Sequence, residues 1–409
     1  MMKCRHCHAD LTLPFLDLGT APPSNAYLSP EQLDAPETWY PLRVFACTAC
    51  WLVQTQDYAH HGDLFASDYA YFSSYSESWL RHAQGYVEAM TRRFELGAAS
   101  LVIEVASNDG YLLQYVQAKG IPCLGIEPTA GTAKVARAKA IEVREAFFGR
   151  ELGQRLAAEG RAADLTAANN VLAHVPDIND FVAGFADVLK PHGVATFEFP
   201  HLMRLVAECQ FDTVYHEHFS YLSLTAVASV FERNGVALFD VEEIGTHGGS
   251  LRVYAQRADR GQRAHTPAVD ALLERERAAG MTKRAYYEGF QARADRIKDD
   301  FVAFLIEAKR AGKRVMAYGA AAKGNTLMNY AGVRGDLIDG VADRNLAKQG
   351  KLMPGSRIPI VAEDRLKQTR PDYIVLLPWN LKAELMHQLQ YTREWNGRFV
   401  IAVPTMEVV

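Results

Sequence analysis

The run Leu101-Val102-Ile103-Glu104-Val105 restricts the fold more than any other stretch of this 409-residue chain. An apolar run with one acid late in it reads as a buried parallel strand. Ala106-Ser107-Asn108-Asp109-Gly110 follows as a polar turn, and Tyr111-Leu112-Leu113 opens a helix. Strand, tight turn and helix together commit the chain to βαβ units, because parallel strands need a crossover between them. A second strand, Cys123-Leu124-Gly125-Ile126, ends at Glu127. An acid at the tip of the second strand is where a ribose diol is usually gripped. Ala106, Ser107 and Asn108 stand where a dinucleotide fingerprint places glycines, so a pyrophosphate has no close approach. An adenosine ligand without phosphate fits better, and S-adenosylmethionine (SAM) is the common one. A plain βαβ unit with no ligand stays open at this point.

The cysteines constrain a second region. Four of the six fall into two pairs, Cys4-Arg5-His6-Cys7 and Cys47-Thr48-Ala49-Cys50. Each knuckle presents two thiolates to one tetrahedral ion, and the segment between them closes the loop. Met1-Met2-Lys3-Cys4 does not begin a secretory leader, so a cytoplasmic enzyme is expected. Disulfides are rare there, which favours structural Zn2+ on Cys4, Cys7, Cys47 and Cys50. His6, His8, His60 and His61 are alternative ligands or surface residues. A full thiolate shell leaves no open position, so such a metal would stabilise the fold and take no part in chemistry. Cys123 and Cys209 are lone and read as reduced thiols. The net charge of −4 gives no drive toward nucleic acid or membrane, and no stretch is apolar over the length a bilayer requires.

Residues 65–76 are rich in tyrosine and serine, with Tyr69, Tyr71, Ser73 and Ser74 among them. They read either as a surface loop over tucked aromatics or as a hydroxyl-rich lid for a sugar-like ligand. A helix over 77–94 leads into the first parallel strand. After Glu127 the rhythm continues with a helix over 130–140, a strand over 162–168, an amphipathic helix over 181–189 and a strand over 193–199. Asn170 and His174 lie just past the strand over 162–168, at the mouth of a parallel-sheet site. His174 is there either as a structural residue or to touch substrate. Tyr215-His216-Glu217-His218 then gathers every common general acid/base type in four places. HEH is not the HExxH zinc motif, since histidines two apart point away from each other on a helix. A polar helix start is the plain reading, but the position after the last central strand favours proton transfer. Runs over 236–242 and 250–256 complete the sheet as an antiparallel hairpin.

Residues 264–311 are charged and helical by period, a connector without a substantial turn after Gly280. A second α/β motif begins at Arg314-Val315-Met316-Ala317-Tyr318 and turns through Gly319 to Thr326 into a helix. Lys323-Gly324 reverses the order of a Walker loop, so this is no NTPase signature. Helix N-terminal amides with Lys323 still make a phosphate site. Strands over 337–342 and 373–377 follow. The expected fold is α/β: an N-terminal zinc-binding module (1–66), a central Rossmann-like domain that suits SAM (67–260) and a C-terminal Rossmann-like α/β domain that suits a ligand with phosphates (261–409).

In order and spacing these segments resemble the SAM-dependent sugar C-methyltransferases of deoxysugar pathways. That family acts on nucleotide-linked 4-keto-6-deoxyhexoses, typically at C-3. The resemblance covers essentially the whole chain. It rests on the paired CxxC knuckles, Asp68 to Tyr71 with Ser73-Ser74, Glu104 to Tyr111, Asn170 to Pro176, Tyr215 to Phe219, His247-Gly248-Gly249-Ser250-Leu251-Arg252 and Tyr318 to Asn325. It implies zinc in the first domain, SAM in the second and a nucleotide sugar held with help from the third.

A C-3 hydrogen beside a C-4 ketone is acidic only if the enolate is stabilised, so a base at C-3 and donors at the C-4 oxygen are required. The resemblance implies His218 as that base. Tyr215 and His174 are expected near the oxyanion, Glu217 as the group that orients a histidine or a sugar hydroxyl, and Tyr69 as the lid residue, with Tyr71 in reserve. SAM is expected over Glu104, Asp109, Gly110 and Tyr111, with Glu127 on the ribose and Asn170 near the methionine or the sugar. Ser73 and Ser74 would bind the sugar, and Lys323 and Asn325, with Arg252, the diphosphate. A nucleotide-sugar substrate, no nucleic acid, no membrane and a monomer are the expected partners and state. Rival readings are C-methylation of another ketone or sugar position, a non-catalytic zinc-ribbon adaptor, and a dehydrogenase. The last is disfavoured because Gly319 to Asn325 lacks the glycine spacing for NAD.

Overall fold

The computed structural model describes residues 2–58 and 72–409. Tyr69, Tyr71, His60 and His61 lie outside the described residues, as does most of the tyrosine-serine segment.

In chain order the cysteine module supplies β1 (Leu13–Ala21), β2 (Tyr40–Ala46) and β3 (Val53–Thr55). The middle of the chain supplies β4 (Val102–Val105), β5 (Cys123–Ile126), β6 (Val143–Arg144), β7 (Ala163–Asn169), β8 (Leu189–Pro200), β9 (Ser220–Tyr221), β10 (Val236–Ile244) and β11 (Ser250–Arg257). The last third supplies β12 (Val315–Tyr318), β13 (Val341–Ala342), β14 (Ile360–Val361), β15 (Tyr373–Leu376), β16 (Arg398–Ile401) and β17 (Glu407–Val408).

Among the described residues these strands form three sheets. The central one runs β10-β11-β8-β7-β4-β5-β6. Its strands β6, β5, β4, β7 and β8 are parallel, and β11 and β10 close the edge as the expected antiparallel hairpin. All four residues of β4 are buried, as a strand covered by helices on both faces requires. The order reverses at β4 and β7, which opens a crevice at their carboxyl ends. The C-terminal sheet, β14-β13-β12-β15-β16-β17, has its own reversal between β12 and β15. The third sheet, β1-β2-β3-β9, is mixed in origin. Its strand β9 immediately follows the Tyr215–His218 segment in sequence and pairs with β3, so the cysteine module is hydrogen-bonded to the segment that carries the acid/base residues.

The apolar packing crosses the same borders. Cys4, Cys47, Cys50 and Leu52 share a core with Phe185, Phe197 and Phe231 of the central domain. Phe15 of β1 stacks on Phe290 at 4.5 Å, inside a core that continues into β12, β15 and β16. No helix among the described residues is long and apolar enough to cross a membrane.

Three local expectations change. The connector over 264–311 is three helices, Pro267–Ala278, Arg284–Tyr287 and Phe290–Arg310. Gly280 and Gly289 end the period by taking φ of 92° and 83°, a region open to glycine at little steric cost. Tyr215 to His218 is no helix but a turn leading into β9, so its side chains diverge because the backbone turns. The helix after the SAM-type turn begins at Leu113, two residues later than the sequence suggests.

Candidate active site

The two crevices line one cavity of about 1030 Å³. Val105, Ala106, Asn108, Tyr111 and Glu127 form one wall, Asn169, Asn170, His174, Tyr215 and His218 the next, and Lys323, Lys348 and Asn380 face them from the C-terminal domain. A single small ligand needs less room than this.

The β4 turn is shaped for a close ligand. Ala106 and Asn108 take φ of 58° and 50°, the left-handed conformation that glycines supply in a dinucleotide loop. Gly110 has φ 76°, and a Cβ there would lie 2.5 Å from Ile141, so the turn packs directly on its neighbouring layer. Glu127 accepts Asn108 N–H at 2.9 Å on one oxygen and Thr129 N–H at 2.9 Å on the other, and the Thr129 hydroxyl also donates to it. Glu127 thus holds the turn while still lining the cavity. Glu104 lies beneath, fully buried. Burial pushes its carboxyl well above the usual range, Asp109 and Glu127 add to this, and the Tyr111 hydroxyl opposes it.

The residue types fit SAM. Asp109 Oδ1 and both amide atoms of Asn169 and of Asn170 are buried beside this turn with no hydrogen-bond partner among the described residues, which is expensive unless a polar ligand meets them. Ser73 and Ser74 join this half of the site: their backbone N–H groups donate to Asn108 Oδ1 at 2.9 Å and Asp109 Oδ2 at 3.3 Å.

The acid/base residues sit between the two halves. His218 Nδ1 lies 2.9 Å from Thr213 O, and a carbonyl only accepts, so the proton is on Nδ1. Nε2 therefore carries the lone pair, and the Tyr215 hydroxyl donates to it at 2.6 Å. His174 is fixed the same way, Nδ1–H to Glu217 O at 2.8 Å, and its ring meets that of His218 edge-on with centroids 4.6 Å apart. Burial, and then the neighbouring His174, hold His218 well below the ordinary imidazole range, while the Thr213 carbonyl opposes them. Burial brings His174 down to about 4. Both imidazoles are neutral at pH 7.

Glu217 does not face the cavity. Its Oε1 accepts the backbone N–H and the Nδ2–H of Asn25, both at 3.1 Å. Asn25 itself lines the cavity from the loop between the cysteine knuckles. The same loop reaches the C-terminal domain: Asn325 Nδ2 donates to Ser24 O at 2.6 Å, the Tyr27 hydroxyl donates to Ala320 O at 2.6 Å, and Leu28 bridges Leu352. Asn325 is buried in this contact and is not among the cavity-lining residues. Arg252 lines the cavity, but its Nε donates to Glu198 at 2.7 Å, and Glu198 also takes His82 Nε2 at 2.7 Å. Burial raises the Glu198 carboxyl, yet these two partners prevail and hold it below its usual range.

In the C-terminal wall, Gly319 at φ 87° lets its turn approach Pro378 so closely that a Cβ would lie 2.5 Å from the proline ring. Lys323 Nζ donates to Asn380 Oδ1 at 3.0 Å and stands 4.3 Å above the Trp379 ring, whose N–H donates to buried Asp212 at 2.7 Å. Burial raises the Asp212 carboxyl to about 6.

Several lining residues carry no assigned role in the sequence reading: Asn25, Trp79, His82, Lys348 and His247, the last quoted there only within its motif. Trp79 stacks on His82 at 4.8 Å, and His247, at φ 55°, packs 5.1 Å from the same indole. Of these only His247 carried a local signal, the two glycines that follow it.

The four thiols of Cys4, Cys7, Cys47 and Cys50 lie within 4.8 Å of one another. Sulfurs around tetrahedral zinc are about 3.8 Å apart, and here Cys4–Cys50 is 3.6 Å and Cys7–Cys47 is 3.5 Å. Gln54 Nε2 and Ala49 N donate to Cys4 and Cys47 Sγ, as thiolate ligands require. His6 is engaged elsewhere, with Asn179 at 2.8 Å and Ser229 at 3.1 Å.

Comparison with known proteins gives three domain matches: a zinc binding domain over residues 4–65, a methyltransferase domain over 79–241 and a C-methyltransferase C-terminal domain over 245–404. C-methyltransferase NovU of Streptomyces niveus is 33% identical over 407 residues, covering 100% of this chain and 96% of that one. Among solved structures, a SAM-dependent methyltransferase of Mesorhizobium loti is 16% identical, with 44% of this chain and 100% of that chain covered and a TM-score of 0.35. Magnesium protoporphyrin IX methyltransferase of Synechocystis with bound SAM is also 16% identical, with 44% and 79% covered and a TM-score of 0.33.

Proposed function

The chain belongs to the SAM-dependent C-methyltransferases that carry an N-terminal zinc-binding domain, and from that premise we propose that it methylates C-3 of a nucleotide-linked 4-keto-6-deoxy sugar, with thymidine diphosphate as the nucleotide. In this reading residues 1–66 bind zinc, 67–260 bind SAM and 261–409 hold the nucleotide, in a cytoplasmic monomer.

The observation that carries the chemistry is the Tyr215–His218 pair. A neutral imidazole with its lone pair on Nε2 and a phenol at 2.6 Å is a base and a donor side by side. C-3 and the C-4 oxygen of a ketosugar are likewise neighbours. A substrate carbonyl entering here takes the Tyr215 hydroxyl as its donor, and this frees His218 Nε2 for the C-3 hydrogen. The C–H bond breaks, Nε2–H forms, and the electron pair delocalises onto the C-4 oxygen, where the Tyr215 hydroxyl donates to it; His174, whose single N–H is spent on Glu217 O, offers no donor there and instead packs edge-on against the His218 ring. Thr213 O accepts from Nδ1–H and so steadies the imidazolium as it forms. The Ala106–Tyr111 turn would hold SAM, with Glu127 on its ribose, and SAM would supply the electrophilic methyl group, its S–CH3 bond breaking as S-adenosylhomocysteine leaves. Glu217 acts at one remove by fixing Asn25. Tyr69 or Tyr71 closes over the sugar, and Lys323 receives the diphosphate.

The test is mass spectrometry of the purified protein with SAM and enzymatically generated dTDP-4-keto-6-deoxyglucose in deuterated water. A product heavier by one methyl group with S-adenosylhomocysteine released supports the reading, and deuterium entering unmethylated substrate at C-3 supports the proton-abstraction step. Neither signal, with SAM binding intact, would send the search to other ketones.

A further inference from the structure

A nucleotide sugar brings two negative charges on its diphosphate. Of the three residues the sequence offers for it, Asn325 is spent on Ser24 O and Arg252 is neutralised by buried Glu198. Lys323 alone would leave half the charge unmatched. A second ammonium faces the same cavity. Lys348 Nζ donates to Ala320 O at 2.7 Å and lies 5.1 Å from the Tyr27 ring. Ala320 belongs to the turn whose following helix carries Lys323, so the two lysines bracket one turn, at the strand-order reversal of the C-terminal sheet.

Neither lysine is ion-paired among the described residues. Each donates to one neutral oxygen and keeps two further N–H groups. The nearest acids are committed to the walls. Asp212 holds Trp379 N–H, and Asp343 accepts the N–H groups of Ala320 and Asn345, both at 2.7 Å. Burial pushes both ammoniums below the usual lysine range, only partly offset by those two carboxylates. Two desolvated cations whose nearest carboxylates are held by other donors, and which form no ion pair among the described residues, are unfavourable unless an anion completes them.

We propose that Lys348 and Lys323 form a two-ammonium clamp for the diphosphate of the substrate, one on each side of the Gly319–Ala322 turn. This rests on the nucleotide-sugar reading above and adds Lys348 as a binding residue. Specificity follows: with two cations at one turn, a diphosphate should outcompete a monophosphate.

The test is equilibrium binding of dTDP, dTMP and inorganic pyrophosphate to the full-length, zinc-loaded protein holding S-adenosylhomocysteine. Wild type should prefer dTDP to dTMP. K348M should weaken dTDP about tenfold or more, as K323M should, while K348R retains most of the affinity and S-adenosylhomocysteine binds all three variants normally. K348M binding dTDP within twofold of wild type overturns the clamp. Wild type that binds pyrophosphate but not dTDP keeps the clamp and refutes the thymidine assignment. Binding of neither overturns both. A check free of folding effects uses wild-type protein and reductive methylation read by mass spectrometry. Saturating dTDP should slow labelling of Lys323 and Lys348 alone among the lysines, and unchanged labelling of Lys348 overturns the proposal.

Discussion

Replacing His218 with asparagine isolates the proposed base. The side-chain amide can still donate to Thr213 O, where Nδ1–H now does so at 2.9 Å, but nothing accepts a proton. The rings of Tyr215 and His174, 3.9 and 4.6 Å from the His218 ring, lose one neighbour in a wall already open to the cavity. The fold should therefore lose only about 1 kcal/mol. A general base contributes about 10²–10⁴-fold, or about 2.7–5.4 kcal/mol at 1.36 kcal/mol per decade. Turnover of H218N at saturating SAM and ketosugar should drop by that factor, with the SAM dissociation constant unchanged. Deuterium exchange at C-3 should fall in parallel, since both need the same proton removed. The pH profile of the wild type adds a second check. The His218 pKa lies well below 6.5, so the base is already neutral at pH 7; the rate should be flat across neutrality and fall only on the acid side. A loss under tenfold in H218N, or exchange that continues at the wild-type rate, refutes His218 as the base.

Other outcomes follow from the same geometry. E127A should weaken SAM binding by about 10–100-fold by calorimetry, through the ribose and through the loosened Asn108 and Thr129 amides; unchanged affinity would remove Glu127 from the site. Y215F should lower turnover by about 10²–10³-fold with little change in SAM affinity, the usual effect of removing one oxyanion donor. Cys50→Ser should bind zinc weakly by metal analysis and melt several degrees lower, on the order of a few kcal/mol, since the knuckle anchors β3 beside β9. Acid should destabilise the protein between about pH 6.5 and pH 4. There the unfolded chain binds protons on His174 and His247 that the fold, with both held at about 4, does not; stability then rises with pH by at most about 1.4 kcal/mol per unit for each histidine. H174Q should flatten that slope in thermal melts, and an unchanged slope would show that His174 is not buried as a neutral ring.

The elements readable in the sequence are those whose partners are local. The buried β4 with its single acid, the acid just past β5 and the CxxC pairs carry their physics within a few residues, and each appears in place. Tyr215 and His218 are legible by chemical type, and their relation as donor and acceptor is not, because it depends on a turn where a polar helix start is the plain reading. Asn25 and Lys348 were invisible for another reason. Each sits in a polar loop like many others, and only packing between distant segments turns it into the cavity. Asn325 and Arg252 show the converse. Their types suit a phosphate, but tertiary partners already occupy them.

The loop from Ser24 to Leu28 alters what counts as a module here. It leaves the zinc-ligating region, buttresses Glu217, and fastens to Ala320, Asn325 and Leu352. Recombining such enzymes along their linear borders would therefore splice mismatched surfaces. A transplanted C-terminal domain would meet foreign counterparts of Tyr27 and Ser24, and a transplanted zinc module would bring a foreign residue to Glu217. The unit that packs together is discontinuous: the segment between the cysteine knuckles has to travel with the last third of the chain.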